Sequence, residues 1–393
     1  MTPVATSSSD RRRAIAALAA ATALNLPFGT IYAFSVFLKP MEAMLGITRA
    51  QMTLVFALAT ISLTVGMNLA PWLYRRVAPV PLVLASGAAS ALGLWLTAAA
   101  GGFAELLLGY GILFGLGGGI AFILVQQGVN QTVTSGSGLV NGYVVGLYPL
   151  GAMIGAPVFG WAIGHWGLRS TIAGLGATVV LATLLTALLI RVADVRMHDA
   201  SPASADAGDR RFGVFLTLFS VFFLAAAAGL TVMSQAAGIV AAYGGQTALA
   251  LGATTLITGS IAAARLGGGW LVDRFQVPHV AIGAHLWSLA GALMLSAWPG
   301  PLMAILGLAM IGMGYGFVSG LTAGAIARYW HRNAFGLVAG RLYIAWCIAA
   351  ITLPVLAGWL FDRTQGYGTA VLIAAAGNVL GAVVASRLPR GAA

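Results

Sequence analysis

Residues 248–274 read ALALGATTLITGSIAAARLGGGWLVDR. About twenty apolar residues cross the roughly 30 Å hydrocarbon core of a bilayer, and this stretch supplies them before it ends at Asp273-Arg274. One basic residue, Arg265, lies inside the run, and no acidic residue accompanies it there. A guanidinium at the centre of a membrane helix costs about 2.5–3.5 kcal/mol, so such a residue usually serves a function. The stretch therefore predicts a membrane helix, and Arg265 predicts anion binding.

The composition of the whole chain also predicts a membrane protein. Of the 393 residues, 60% are hydrophobic and 7% are charged, whereas a soluble domain carries about 25% charged residues. Twelve apolar runs are long enough to cross a bilayer, at residues 14–38, 51–74, 80–100, 104–132, 137–164, 170–190, 212–240, 246–271, 278–297, 300–326, 335–360 and 367–387. We therefore expect an all-α membrane protein with twelve transmembrane helices.

The positions of the basic residues predict the orientation of these helices. With twelve spans and a cytoplasmic N-terminus, the C-terminus is also cytoplasmic. The segments on that side hold Arg11, Arg12, Arg13, Arg75, Arg76, Arg191, Arg196, Arg210, Arg211, Arg274, Arg328, Arg332, Arg387 and Arg390. The other side holds Lys39, Arg49, Arg169 and Arg363. This asymmetry follows the positive-inside rule, and it accounts for the net charge of +11 without a nucleic-acid partner.

A polar stretch divides the chain into two halves. Residues 191–213 are rich in Ala, Ser and Asp, a composition typical of a flexible linker. We predict a six-helix bundle at residues 1–190, a cytoplasmic linker at 191–213 and a second six-helix bundle at 214–393. A shift of 198 residues brings Trp72-Leu73 onto Trp270-Leu271 and Gly160-Trp161 onto Gly358-Trp359. Such a match predicts two parallel repeats, an arrangement found in transporters whose halves rock about a central site.

Residues 268–274 read GGWLVDR, and with this motif and its two predicted halves the chain resembles the major facilitator superfamily over almost its whole length. Gly268-Gly269-Trp270-Leu271-Val272-Asp273-Arg274 is similar to the glycine-aspartate-arginine loop of that superfamily. The resemblance implies that Asp273 and Arg274 act in the conformational change. The equivalent segment of the first half, Trp72 to Arg76, keeps basic residues and lacks the aspartate.

Within the superfamily, residues 27–37, PFGTIYAFSVF, are similar to the first helix of the oxalate/formate antiporter family and its bacterial monocarboxylate relatives. This resemblance implies that Arg265 binds a carboxylate. An oxalate exchanger of the family has a lysine in its eleventh helix, where this chain has Trp346 in the neighbourhood. One cation suits one carboxylate, so a monoanion is favoured over a dianion. Arg341 is the alternative second cation, unless its side chain extends to the lipid headgroups.

Several polar and aromatic residues are candidates to complete a substrate site. By residue count most lie near the membrane midplane and one, Tyr32, lies closer to the outside; the candidates are Arg265, Tyr32, Asn25, Gln126, Tyr148, Tyr315 and Trp346. Aromatic side chains can stack on a small acid or hydrogen-bond it without adding charge. Gln126 and Gln127 are adjacent on one helix, so one of them faces the site, and we favour Gln126. Packing remains the alternative for each residue, and a structural role remains the alternative for Arg265.

Coupling has one candidate among the titratable groups. His285 falls at a depth similar to that of Arg265 and can carry a proton near neutral pH; the alternative is a packing histidine. We expect a secondary transporter of small organic anions, with a lactate-, pyruvate- or formate-like monocarboxylate moved by alternating access with proton symport. A carboxylate exchanger of the oxalate/formate type is the first alternative, and an exporter of drugs or hydrophobic compounds is the second.

Catalytic and cofactor motifs do not occur in the sequence. There is no HExxH, nucleophile elbow or Cys/His cluster, and Cys347 is the single cysteine, so we expect no enzymatic activity, no metal and no cofactor. The expected partners are a carboxylate, protons and membrane lipid, with the monomer as the functional unit. Short loops and the lack of an organelle-targeting segment favour a bacterial inner membrane.

Overall fold

A computed structural model describes residues 8–133, 136–197, 208–298 and 300–391. Within these ranges the chain forms fourteen α-helices and no β-strand. Their bounds are α1 Ser8–Gly29, α2 Ser35–Leu45, α3 Arg49–Leu73, α4 Pro79–Ala99, α5 Phe103–Leu106, α6 Gly115–Thr132, α7 Ser137–Trp166, α8 Leu168–Ala193, α9 Gly208–Ala242, α10 Thr247–Arg274, α11 Val277–Ala297, α12 Pro301–Tyr329, α13 Phe335–Thr364 and α14 Gly368–Ala385. The π-helical segment Leu107–Phe114 joins α5 to α6. The predicted all-α class is confirmed.

Most of these helices are long enough to cross a membrane. Among the described residues, eleven helical runs combine the required length with the required apolar composition. They correspond to α1 with its following turn, α3, α4, α5 to α6, α7, α8, α9, α11, α12, α13 with its preceding turn, and α14. Helix α10 is not among them. The chain is thus a multi-pass membrane protein, while the count of twelve spans stays a prediction.

The first helix ends earlier than the predicted run 14–38. Helix α1 stops at Gly29, Thr30–Ala33 forms a 3-10 turn, and α2 begins at Ser35. Pro27 lies in the last turn of α1, where its ring removes one backbone hydrogen bond. The hydroxyl of Thr30 donates to the carbonyl of Pro27. A proline and a competing side-chain donor therefore interrupt an apolar sequence that hydropathy alone treats as continuous.

The turn between α2 and α3 is fixed by local polar contacts. Gly46 ends α2 with a φ of 63°, a left-handed conformation that favours glycine. Thr48 and Gln51 form a reciprocal capping box at the start of α3, which satisfies two backbone N–H groups. Arg49 donates two hydrogen bonds to the carboxylate of Glu42, and this contact lowers the pKa of Glu42. These contacts define the end of α2 and the beginning of α3.

The chain divides into two compact units. The first comprises Met1–Ser135, Ile154–Ser201 and Arg332–Gly340, and the second comprises Gly136–Met153, Pro202–His331 and Arg341–Ala393. Helices α7 and α13 each contribute residues to both units. The predicted division at 190 and 214 is purely sequential and does not include this exchange of segments. Residues 198–207 of the predicted linker 191–213 lie outside the described residues.

Helix α10 of the second unit packs closely against α7 and α12 through glycines. A Cβ at Gly142 would lie 2.5 Å from the carbonyl oxygen of Arg265, and a Cβ at Gly320 would lie 1.9 Å from the same oxygen. Neither position has room for a side chain. Glycines at such contacts let membrane helices approach closely. The backbone of α10 at Arg265 is therefore in contact with a neighbouring helix on two sides.

A corresponding contact occurs inside the first unit. A Cβ at Gly340 would lie 2.7 Å from the carbonyl oxygen of Met67, and the side chain of Asn68 donates to the carbonyl of Gly340 at 2.8 Å. Gly340 follows Gly142 by 198 positions, and Arg265 follows Met67 by the same number. The repeat read from the sequence is thus reproduced by matching helix contacts within each unit, with a methionine where the second half has its arginine.

Candidate functional site

Arg265 is buried in the second unit, with 4% of its surface exposed. Its Nη1 donates to the carbonyl of Val145 on α7 at 2.8 Å, and its Nη2 donates to the hydroxyl of Tyr315 on α12 at 2.8 Å. Both acceptors are neutral oxygens, so these two bonds orient the guanidinium without neutralising its charge. Since α7 and α12 contact α10 through glycines at this level, the side chain is held by the same two helices that hold its backbone.

Tyr315 contributes both its hydroxyl and its ring to this arrangement. The Arg265 guanidinium carbon lies 5.2 Å from the centre of the ring, within the range of a cation–π interaction. A tyrosine hydroxyl has one proton to donate and also accepts. Because the oxygen accepts from Arg265, that proton remains to be donated. The pair therefore offers an anion a positive charge and an adjacent hydroxyl donor.

An aromatic cluster on α13 continues from this pair within the second unit. Tyr343 lies within electrostatic reach of both Arg265 and Tyr315. The ring of Tyr343 packs edge-on against Trp346 at 6.4 Å and against Phe222 at 5.9 Å between centroids. The sequence prediction included Trp346 and missed Tyr343. The missed signal was the spacing of three residues, which places both rings on one face of a helix.

Tyr148, another predicted residue, belongs to the same unit. It lies on α7, three residues after the Val145 whose carbonyl accepts from Arg265, and its side chain is buried. Residues three apart share a helix face. The second unit thus brings together Arg265, Tyr315 and Trp346, and it places Tyr148 one turn from Val145.

The other predicted candidates, Asn25, Gln126 and Tyr32, belong to the first unit. Asn25 on α1 and Gln126 on α6 are buried, and their side-chain nitrogen and oxygen atoms have no hydrogen-bond partner among the described residues. Buried polar groups are normally bonded, so these two amides are suited to bind a ligand or water in another state. Tyr32 lies in the 3-10 turn after α1 and is half-buried.

The neighbouring amide, Gln127, has a structural contact instead. Its Nε2 donates to the carbonyl of Arg332 at 3.0 Å, and its Oε1 accepts from the backbone N–H of Gly336 at 2.7 Å. Gly336 lies in the first turn of α13, where N–H groups have no partner within the helix. Gln127 therefore caps the start of α13, which leaves Gln126 as the amide available for binding.

His285, the predicted coupling residue, is buried between α11 and α14. Its Nδ1 lies 2.9 Å from Oδ1 of Asn378, while the Asn378 amide nitrogen donates to the carbonyl of Ala374 at 2.8 Å. The Asn378 oxygen is thus an acceptor, and Nδ1 carries the proton. A Cβ at Gly381 would lie 2.3 Å from Cε1 of the imidazole. The contacts described here for His285 and for Arg265 share no residue, so none of them joins the two side chains directly.

Asp273 and Arg274, the predicted conformational residues, lie at the end of α10. The Asp273 carboxylate accepts the backbone N–H groups of Gly138 and Leu139, both at 2.8 Å. These groups lie in the first turn of α7, where a negative charge is favourable. Arg274 stacks over Trp270 at 4.0 Å, and Arg76 stacks over Trp72 at 3.9 Å in the first unit. Asp273 therefore fastens α10 to the start of α7.

Two points remain, the position of Arg341, which is the alternative second cation, and the possibility of a metal site. The side chain of Arg341 is exposed, unlike that of Arg265. Among the described residues, no group of three His, Cys, Asp or Glu side chains is placed to hold a metal ion. Arg265 on α10, in contrast to Arg341, is a buried basic side chain.

Comparison with known proteins identifies the family. The model of the Major Facilitator Superfamily matches residues 15–234. The chain is 24% identical to the MFS-type transporter YhjX of Escherichia coli over 330 residues, 82% of each protein. It is 25% identical to monocarboxylate transporter 13 of Bos taurus over 378 residues, covering 93% of this chain and 86% of that protein.

Solved structures show the same fold. The proton:xylose symporter XylE superposes with a TM-score of 0.78 at 15% identity over 97% of both chains. The transporter FucP in its outward conformation superposes with a TM-score of 0.68 at 17% identity, over 96% of this chain and 100% of that one. The chain belongs to the Major Facilitator Superfamily, whose members are secondary transporters and not enzymes.

Proposed function

We propose that this transporter moves small organic anions, with a monocarboxylate of the lactate, pyruvate or formate type as its substrate. The observation that carries the proposal is the burial of the Arg265 guanidinium beside the carbonyl of Val145 and the hydroxyl of Tyr315, to which it donates hydrogen bonds. A carboxylate is the partner that such a group binds best, through two parallel bonds. Two similar proteins from cattle and mouse are named monocarboxylate transporters 13 and 11, which supports this substrate class.

The preference for one carboxylate over two follows from the other cations. Arg341 is exposed. Trp346 on α13 lies in the neighbourhood where an oxalate exchanger of the family has a lysine, so this chain has no second cation there. A second carboxylate held away from water calls for a second positive partner. We propose that the carboxylate binds Arg265 and Tyr315, with Trp346 and Tyr148 contributing contacts from the same unit. We further propose that Asn25, Gln126 and Tyr32 provide the polar contacts of the first half.

In this proposal transport proceeds by alternating access with proton symport, and His285 is the candidate proton carrier. Anion exchange is the second candidate, favoured by the separate contacts of His285 and Arg265, since exchange needs no titratable group in the path. We also propose that both termini are cytoplasmic, that two six-helix halves at 1–190 and 214–393 are joined by residues 191–213, and that the protein works as a monomer in a bacterial inner membrane.

Replacement of Arg265 tests the substrate class. Arg265→Gln removes the charge and keeps a hydrogen-bonding side chain. We expect lactate, pyruvate or formate to raise the melting temperature of the purified wild type by mass action. The melting temperatures measured with acetate, oxalate and the neutral lactamide show how selective this binding is. A hydrogen bond to a charged group contributes about 1.5–3 kcal/mol to the binding free energy. The variant lacks this bond and should therefore bind the acid about 10-fold to 100-fold more weakly.

Arg341→Gln is the matched control, because it removes an arginine that is exposed in the structure. This variant should respond to the acids as the wild type does. Equal responses of wild type and Arg265→Gln, or the lack of a response to any acid, would show that Arg265 is structural and that the substrate class is wrong. Melting without ligand establishes that each variant is folded.

A further inference from the structure

A large open cavity lies within the first unit, at the ends of α1, α6 and α8. Its volume is about 780 Å³, inside the range of about 300–1,000 Å³ that is typical of ligand sites. Three arginines from three separate segments line it, together with two carboxylates: Arg13, Arg196, Arg332, Asp10 and Asp194. None of these residues belongs to the candidate substrate site.

Ion pairs bring two of these arginines together. Asp194, just after α8, forms an ion pair with Arg13 on α1 at 3.3 Å and with Arg196 at 3.1 Å. One carboxylate is thus shared by two guanidinium groups. Both remain accessible, with 51% and 74% of their side chains exposed. Exposed pairs of this kind contribute little to stability, so folding does not by itself explain the cluster.

The third arginine is positioned by its backbone. The carbonyl of Arg332 accepts from Gln127, which also caps the first turn of α13. The guanidinium itself is exposed and lines the cavity. With three arginines against Asp10 and Asp194, the lining carries a surplus of one positive charge.

We propose that this cavity binds a phosphate-class anion through Arg13, Arg196 and Arg332. Guanidinium groups match the oxygens of a phosphate with paired hydrogen bonds. A surplus of one charge suits a phosphodiester, and the cavity opens where three membrane helices end. Basic pockets at such positions bind anionic lipid headgroups. The phosphate belongs either to a lipid headgroup or to a free ion. Either one would link the start of α13 to α1 and α8.

Thermal unfolding of the full chain tests the proposal. In micelles of zwitterionic detergent, we would add phosphatidylglycerol, phosphatidylcholine or inorganic phosphate to the wild type. We expect one of the two phosphate anions to raise the melting temperature by about 2–4 °C, and phosphatidylcholine to have no such effect. A response to phosphatidylglycerol alone identifies a lipid site, and a response to inorganic phosphate identifies a free-ion site.

Arg332→Gln is the informative variant, since its side chain makes no described contact that folding would lose. It should lose most of the shift, whereas Arg387→Gln, which removes an exposed arginine outside the cavity, should keep it. Arg196→Gln provides a second test should Arg332→Gln fold poorly. The proposal is overturned if neither anion stabilises the wild type, or if the cavity variants respond as strongly as Arg387→Gln. None of these measurements depends on carboxylate transport.

Discussion

At the scale of single residues, the central feature is the contact between Arg265 and Tyr315. The arginine was predicted from the sequence, because a basic residue in an apolar run is costly and conspicuous. Tyr315 was predicted as a site residue as well, but the hydrogen bonds of Arg265 to Val145 and Tyr315 were not, since these residues lie 120 and 50 positions away along the chain. Tyr343 was missed although its spacing of three residues from Trp346 places both rings on one helix face.

Tyr315→Phe tests whether this hydroxyl helps to bind the substrate. The change keeps the ring and removes the oxygen that accepts from Arg265 at 2.8 Å. We expect the dissociation constant of the carboxylate to rise about 10-fold to 100-fold, because a hydrogen bond to a charged group contributes about 1.5–3 kcal/mol. Isothermal titration of the purified protein measures this change.

Tyr329→Phe is the matched control on the same helix. Tyr329 is also buried, and its hydroxyl donates to the carbonyl of Pro389 at 2.7 Å, far from Arg265 along α12. Its loss should leave carboxylate binding unchanged. If Tyr315→Phe binds as tightly as Tyr329→Phe, the hydroxyl only orients the guanidinium and has no share in recognition.

At the scale of helices, α10 is defined by its close contacts with α7 and α12. The sequence predicted these helices from hydropathy, but glycines occur throughout the chain, 53 in all. Pattern alone could not indicate which of them meet. The interruption of the first span after Pro27 was also missed, because hydropathy does not register a lost backbone hydrogen bond.

Gly320→Ala tests the packing of α10 on α12. The added methyl group would lie 1.9 Å from the carbonyl oxygen of Arg265, so the helices must separate. Overpacking of this kind costs about 1–3 kcal/mol, and we expect a lower melting temperature together with weaker carboxylate binding. Gly283→Ala on α11 is the control, since a Cβ there meets nothing within 4 Å. That change should be neutral or stabilising. A stable, fully active Gly320→Ala would contradict the packing described for Arg265.

At the scale of the whole molecule, the sequence predicted more than at either smaller scale. Composition, the spacing of apolar runs and the repeat at 198 residues predicted an all-α membrane protein built from two repeats, and the resemblance of residues 268–274 predicted the superfamily. The exchange of segments at α7 and α13 was not predictable, because both helices are continuous in the sequence and the exchange depends on which helices they contact.

Transport coupling is a property of the whole molecule, and His285→Gln tests it. In proteoliposomes, we expect a lower pH outside than inside to accelerate wild-type uptake of labelled substrate, because symport uses the proton gradient. The variant should lose this acceleration and retain exchange of labelled for unlabelled acid, which requires no net proton movement. Acceleration that persists in the variant would remove His285 from the proton path. Uptake that requires an internal anion in the wild type would favour the exchanger.

The capping of α7 and α13 has a mechanical consequence. Asp273 holds the start of α7 with a carboxylate, whereas the repeat-related position, Arg75, has no such group and the amide of Gln127 holds the start of α13. Hydrogen bonds to an ionised acceptor are roughly twice as strong as neutral ones. The two repeats therefore cap the same helix start in different ways, with an ionised carboxylate at α7 and a neutral amide at α13. Salt screens a charged acceptor more than a neutral one, so we expect higher ionic strength to weaken the contact at the start of α7 more than the contact at the start of α13.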